Sequence, residues 1–326
     1  MDKTIENIKI ILKESYQLNT ISVKQIQGGW SALAYIAEDS LHRKFLLKVY
    51  DKARTSTKKL TSKIENYLPV LEWLNLNTGL LNKIIYPLRT ITGEFKYENE
   101  YFIFLLFKYI EGNNVTDTGL NNEQITKLAS IVAELHCFGE DIPLETIAIK
   151  EDYEIDFCDS LSDIINIENR LKHELKLFIS PYLNRINDTI IELTHLSTKL
   201  QSRKLKKVFC HTDIHEGNII QGKYDLVLID WEGLKLAPPE AEFFDISKRK
   251  WSNIFFEKYK EIHPDYLVDN DCLRFYQLRR KLEDIWEFIE QLQYDKLTIE
   301  EEIKILNYLQ MECSSIDIFL SQKEDY

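Results

Sequence analysis

The residues able to do chemistry concentrate in one stretch, Cys210-His211-Thr212-Asp213-Ile214-His215-Glu216-Gly217-Asn218-Ile219-Ile220, with Leu226-Val227-Leu228-Ile229-Asp230-Trp231-Glu232 close behind. Two short apolar runs, 207–210 and 225–229, are bounded by Gly217, Gly222 and Gly233 and read as buried strands flanking a loop of acids and amides. Phosphoryl transfer asks such a loop for a carboxylate that orients or deprotonates a hydroxyl. It also asks for an amide and a second carboxylate to hold magnesium on nucleotide phosphates. Asp213 has the type of the first, Asn218 and Asp230 the types of the others. Two plainer accounts compete. Asp and Asn cap their own backbone in ordinary turns, and His211, Asp213 and His215 stand at a two-residue spacing that could hold zinc. The zinc account has no partner cluster, since the other histidines are scattered and no Cys-x-x-Cys occurs.

Asp213 and Asn218 are five residues apart, as are the base and the magnesium amide of the protein-kinase catalytic loop, and Asp230 follows on a nearby strand as the second magnesium carboxylate does there. The His-x-Asp-x-x-x-x-Asn pattern, with Ile-Asp-Trp where kinases carry Asp-Phe-Gly, resembles the aminoglycoside phosphotransferase and choline kinase superfamily. The resemblance runs from Gly28 to about Gln293. It implies an α+β, bilobal protein-kinase-like fold with Mg2+ as cofactor and ATP or GTP as co-substrate. Residues 1–108 would form a small nucleotide-binding lobe with an antiparallel sheet. A hinge would follow at 109–113, then a larger, mainly helical catalytic and substrate-binding lobe over 114–326.

The elements that must position these groups start with an amphipathic helix carrying Ile5, Ile8, Ile11, Leu12 and Tyr16. Runs 21–27, 33–38 and 44–50 then read as strands, with 84–87 and 101–107 completing the sheet. Gly28-Gly29-Trp30-Ser31 joins the first two strands, and a glycine pair lets backbone N–H groups approach phosphates without Cβ interference. A plain hairpin turn fits the same pair. By resemblance, Gly28, Gly29 and Ser31 cover the nucleotide. Lys48, set inside the apolar Phe45-Leu46-Leu47-Lys48-Val49-Tyr50, would pair the phosphates, and Glu65 on a helix over about 57–76 would hold it, with Glu72 the competitor and Pro69 a local disturbance. Tyr109 and Ile110 fall where the family hinge meets the adenine edge.

Further along, Asn121 opens a periodic helix that ends at His136, read as a structural hydrogen-bonding histidine. Residues 141–202 are mostly helical. By resemblance His211 ties the loop to neighbouring backbone, and either Glu242 or Asp245 braces it. Trp231 and Glu232 could face the acceptor, against the plainer account of a Trp buried under the loop. Arg279-Arg280-Lys281-Leu282-Glu283-Asp284-Ile285 resembles a late helix of the spectinomycin phosphotransferase branch. There Glu283 and Asp284 would meet a substrate's ammonium groups, although charged helix faces are usually solvated. Thr298-Ile299-Glu300-Glu301 opens a last helix as a capping box.

The charge balance, 41 basic against 53 acidic residues for a net −12, argues against nucleic acid or an anionic membrane as partner and suits a cationic, hydroxylated small substrate. Five dispersed cysteines fit reduced thiols and a cytoplasmic protein. The acid-bearing N-terminus is unlike a signal peptide, and no apolar run reaches the roughly 18 residues a membrane span needs. The resemblance therefore implies a kinase that phosphorylates a hydroxyl of an aminoglycoside- or aminocyclitol-type antibiotic. The alternatives are a metabolite kinase acting on choline, a sugar or a hydroxy amino acid, and a kinase-fold binding protein without turnover.

Overall fold

The computed structural model describes residues 3–26, 32–167 and 170–321; Gly28, Gly29 and Ser31 lie outside the described residues. Helix α1 (Lys3–Tyr16) lies on a five-stranded antiparallel sheet of β1 (Thr20–Ile26), β2 (Leu33–Asp39), β3 (Lys44–Asp51), β4 (Tyr97–Glu98) and β5 (Phe102–Lys108), in the order β1-β2-β3-β5-β4. Side chains alternate along β3. Phe45, Leu47 and Val49 pack with Ile8, Leu12 and Tyr16 of α1. Lys48 and Tyr50 therefore take the opposite face. Lys48 lies opposite Ala34 on one side and Leu105 on the other, in the middle of the sheet.

Two sequence expectations change here. The run 84–87 is no strand: Ile84 makes a single parallel bridge to Leu228, and the fifth strand is Tyr97–Glu98. Pro87 has no N–H to give a ladder, which disfavours the run as a strand. The helix expected over 57–76 is two helices, α2 (Thr55–Thr61) and α3 (Ile64–Asn77), broken at Ser62-Lys63, with Pro69 inside the second.

The chain leaves the sheet after Lys108 and enters the second lobe at β6 (Gly112–Asn114). β6 pairs with β8 (Ile219–Gly222), which pairs with β9 (Leu226–Leu228). Gly112 is needed there, because a Cβ would come within 2.3 Å of the Gln221 carbonyl oxygen. A second pair, β7 (Val208–Cys210) with β10 (Lys235–Ala237), carries the other end of the loop. Helices build the rest: α4 (Asn122–Leu135), α5 (Phe157–Asn166), α6 (His173–Ile179), α7 (Leu183–Gln201), α8 (Glu240–Ile246), α9 (Ser252–Lys260), α10 (Asn270–Tyr294) and α11 (Ile299–Ser321). Asn121 caps α4 in a capping box with Gln124, and Thr298 and Glu301 exchange the same two bonds at α11. The architecture is the expected α+β, bilobal one. One apolar cluster runs from α3 through α4 to the loop-bearing strands, and another joins α5, α7, α10 and α11. Among the described residues no helix is long and apolar enough to cross a membrane.

Candidate active site

The segment 211–218 leaves a fully buried strand, β7, and must turn sharply to reach β8. Thr212 takes a positive φ of 69°, and Asp230, just after β9, one of 66°. Left-handed backbone at two non-glycine residues is strained and persists only where surrounding bonds enforce it. Those bonds are present. Glu242 of α8 accepts the N–H groups of His211 and Thr212 at 2.6 and 3.0 Å, and Thr212 Oγ1 donates to the Gly233 carbonyl at 2.9 Å. Glu242, rather than Asp245, is thus the brace; Asp245 pairs with Arg249. Burial pushes the Glu242 carboxyl up to about 8.

His211 is wholly buried and ties the two halves of the site. Its Nδ1 accepts the Asp213 N–H at 3.3 Å, which leaves Nε2–H to donate to the Ile229 carbonyl at 2.8 Å. Burial lowers its pKa, consistent with this neutral ring. Trp231, 4% exposed, lies edge-on to the His211 ring at 4.5 Å and donates to the Leu228 carbonyl. It is packed under the loop.

Asp213 is surrounded by donors. The Asn218 amide reaches its Oδ2 at 3.0 Å and its backbone carbonyl at 2.9 Å. His215 Nε2 faces Oδ2 at 3.6 Å, and Arg280 of α10 reaches Oδ1 at 3.1 Å. His215 is itself seated: Gly217 N–H donates to its Nδ1 at 3.0 Å, and a Cβ at Gly217 would lie 2.6 Å from the ring. Burial alone would raise the Asp213 pKa. The facing His215 imidazole and the Arg280 charge outweigh it and hold the carboxyl well below the ordinary range.

Lys48 reaches down from β3 to Asp230 Oδ1 at 2.6 Å and Glu232 Oε1 at 3.0 Å, and the Tyr50 hydroxyl donates to the same Glu232 oxygen. Burial opposes the lysine's charge, but the two carboxylates prevail and raise its pKa. Burial raises the Glu232 pKa, while Lys48 keeps Asp230 low. The Ile229 N–H donates to the Asn218 carbonyl at 3.0 Å, so Asn218 and Asp230 sit on adjoining backbone. Asn218 has committed its amide N–H groups to Asp213, which leaves its carbonyl oxygen as the free end of the side chain. With the Asp230 carboxylate it forms the hard oxygen donor pair that suits magnesium.

The structure brings together Lys48, Asp213, Asn218, Asp230, His211, Trp231 and Glu232. It does not bring Glu65 to Lys48. Glu65 opens α3, is half-exposed and faces Lys96 at 3.9 Å, while Glu72 pairs with Arg89 at 2.5 Å. Glu232 and Tyr50 fill that place from the other lobe and from β3 itself. Tyr109 and Ile110 lie half-buried in the connection between the lobes, where the Tyr109 N–H donates to the Lys44 carbonyl. Glu283 is held by Arg279 at 3.1 Å and Asp284 by Arg280 at 2.9 Å. Arg279 pulls Glu283 down to about 2 against its burial, whereas burial pushes Asp284 up to about 6. Sequence reading passed over Arg280 itself, although it stands one helical turn before Asp284. His136 is structural: buried, neutral, its Nδ1 bonded to the Tyr259 hydroxyl at 2.9 Å.

Beyond Asp213, away from Lys48, opens a cavity of about 310 Å³ whose wall includes Lys248, Arg249, Arg280, Lys281, Asp284 and Glu312. It is lined by charge of both signs. A family model described as the phosphotransferase enzyme family matches residues 22–276. A spectinomycin phosphotransferase solved with ADP and spectinomycin superposes with a TM-score of 0.71 at 21% identity, over 97% of this chain and 98% of that one. A microcompartment-associated aminopropanol kinase gives 0.66 at 13% identity, over 97% of each chain. A choline kinase from Streptococcus pneumoniae gives 0.62 at 17%, over 96% of this chain and all of that one. A search of curated proteins finds no match.

Proposed function

The chain belongs to the phosphotransferase enzyme family, the superfamily of aminoglycoside phosphotransferases and choline kinases, and from that premise we propose that it transfers the γ-phosphoryl group of ATP or GTP to a hydroxyl of an aminocyclitol- or aminoglycoside-type acceptor. Its fold is the bilobal protein-kinase-like one. One observation carries the reading: Lys48, Asp230, Asn218 and Asp213 follow one another along the cleft, and the last opens on a cavity that includes Asp284 and Glu312.

In this reading Lys48 pairs with the nucleotide phosphates, and Asn218 and Asp230 hold the magnesium ion. When bound, the ion neutralises charge on the triphosphate. Asp213 accepts the acceptor's O–H and lines its oxygen up with the γ-phosphorus. As the new P–O bond forms, the bond to the bridging oxygen breaks, ADP departs, and the hydroxyl proton passes to Asp213. A carboxylate with so low a pKa is a poor base towards a resting hydroxyl, which suits a proton that moves late in a loose transition state. The acids Asp284 and Glu312 would take the acceptor's ammonium groups. The neighbour bound to spectinomycin supports this class of acceptor.

A second reading, a metabolite kinase, is favoured by the four cations Lys248, Arg249, Arg280 and Lys281 on the same cavity wall, which suit an acceptor that also carries an anionic group. Retention of the full set Lys48, Asp213, Asn218 and Asp230 speaks against a binding protein without turnover. A coupled nucleotide-consumption assay with ATP and then GTP, against aminoglycosides, spectinomycin, choline and small hydroxy acids, separates the readings. Turnover by aminocyclitols alone supports the first; turnover by a metabolite alone replaces it with the second. Asp213→Ala is expected to lower kcat by about 10³-fold or more while ADP affinity stays within about threefold. Joint loss of both would remove Asp213 from its proposed place.

A further inference from the structure

Arg280 has no part in the phosphoryl transfer described above, yet it touches the group on which that transfer turns. Its Nη1 donates to Asp213 Oδ1 at 3.1 Å and its guanidinium reaches Asp284 at 2.9 Å, so one side chain of α10 bridges the loop carboxylate and the cavity wall. On the other side, Asp213 Oδ2 is taken by Asn218 and faced by His215. Oδ1 is therefore the oxygen an incoming O–H must reach, and Arg280 stands on it.

We propose that Arg280 is a positioning residue that occupies Asp213 until an acceptor replaces it, so that water alone is poorly oriented for attack on the nucleotide. The inference rests on Asp213 as the residue that orients the nucleophile. Water competes for Oδ1 with nothing but its own hydrogen bond. An acceptor arrives with further groups for the cavity wall. Its ammonium can pair with Asp284 as Arg280 withdraws, which leaves no carboxylate of the trio without a partner. The exchange is feasible because the trio is partly open to solvent: side chains of Arg280, Asp213 and Asp284 are 44%, 33% and 27% exposed. A pair partly open to solvent exchanges partners more readily than a buried one. Without an acceptor, the step at issue is attack of water oxygen on the γ-phosphorus. The bond to the bridging oxygen breaks, giving ADP and inorganic phosphate, and the proton goes to Asp213.

The test needs no knowledge of the natural acceptor. ADP release from the full chain with saturating magnesium-ATP and no acceptor is compared for wild type, Arg280→Gln, Arg280→Lys and the double variant Arg280→Gln with Asp213→Asn, with ADP affinity measured on each. Arg280→Gln is expected to raise acceptor-free ADP release by about tenfold, and the double variant to return it to the wild-type level or below. Arg280→Lys, which keeps the charge on a shorter side chain without the planar guanidinium fork, is expected to fall between. Should Arg280→Gln fail to bind ADP, the lysine variant carries the decision: a rise supports the proposal and equality with wild type overturns it. Unchanged or slower release with ADP affinity intact also overturns it and leaves the reading of Asp213 standing. A rise that survives in the double variant overturns the reading of Asp213 itself.

Discussion

Lys48 meets two carboxylates, and they are not equivalent. Asp230 stays ionised on its strained backbone, while Glu232, buried beside Tyr50, is pushed up and holds the ammonium from below. Removing the Glu232 charge should therefore misplace the lysine. Glu232→Gln is expected to lower kcat/KM for the nucleotide by about tenfold, since a charge-assisted bond to a positioning group is lost. Glu65→Gln is expected to change it by less than about threefold, because that carboxylate lies at the surface near Lys96. Steady-state kinetics with ATP varied decides between them; the opposite ranking would mean that α3 supplies the partner during turnover. Lys48 and Asp230 were legible because a charge inside an apolar run, or at the end of one, stands out. Glu232 was legible only as a polar neighbour of Asp230, since its pairing spans 184 positions that no local pattern connects. Arg280 was hidden for a related reason: on a helix rich in both signs of charge, composition does not tell a solvated arginine from one aimed at a loop.

The catalytic loop, as an element, is held less by its own sequence than by Glu242 of α8. This carboxyl is 2% exposed and accepts two backbone N–H groups, which alone would favour the anion, yet burial carries its pKa up to about 8. Its ordinary value is 4.5. Between these limits the folded protein holds a proton that the unfolded chain has released, so folding takes up a proton and stability falls as pH rises through the window. Glu242→Gln cannot titrate and offers one oxygen to two donors. It should cost about 1 kcal/mol at low pH, with the difference from wild type shrinking or reversing as pH approaches 8. Urea unfolding of both proteins at several pH values from 5 to 8 measures this, and a constant difference across the range would refute the assignment. The family resemblance implied a brace but left Glu242 and Asp245 level, since both stand in a run whose helical phase the sequence does not set. The same limit applies to run 84–87 and to the helix broken at Ser62: periodicity reports apolar faces, whereas these two were decided by a missing ladder donor and by a bend.

At the scale of the whole molecule the lobes are joined by the chain itself, from β5 into β6, and by side chains at the site, Lys48 and Tyr50 on Glu232 among them. A further contact forms where α2 meets the turn between α10 and α11: Thr55 N–H donates to Asp295 Oδ1 at 3.0 Å, and Arg54 pairs with Glu301 at 3.1 Å. Nucleotide departure in two-lobed enzymes is commonly gated by such closure. The double variant Asp295→Ala with Glu301→Ala is expected to speed ADP dissociation about threefold to tenfold, as two partly exposed polar contacts would, and to enlarge the radius of gyration in small-angle scattering. Unchanged dissociation would confine that contact to stability. The split into two lobes follows from the family resemblance, but this contact could not be read from the sequence, because it joins residues 240 positions apart. Distance along the chain has one more effect. Lys48 and Asp230 are separated by 182 residues, and at a synthesis rate of about 5–20 residues per second the lysine emerges roughly 10–35 s before its partner. For that interval the first lobe can assemble its sheet around α1 only with the ammonium of Lys48 still in water. The newborn chain thus becomes competent for phosphate binding late, and all at once, when the strand bearing Asp230 docks.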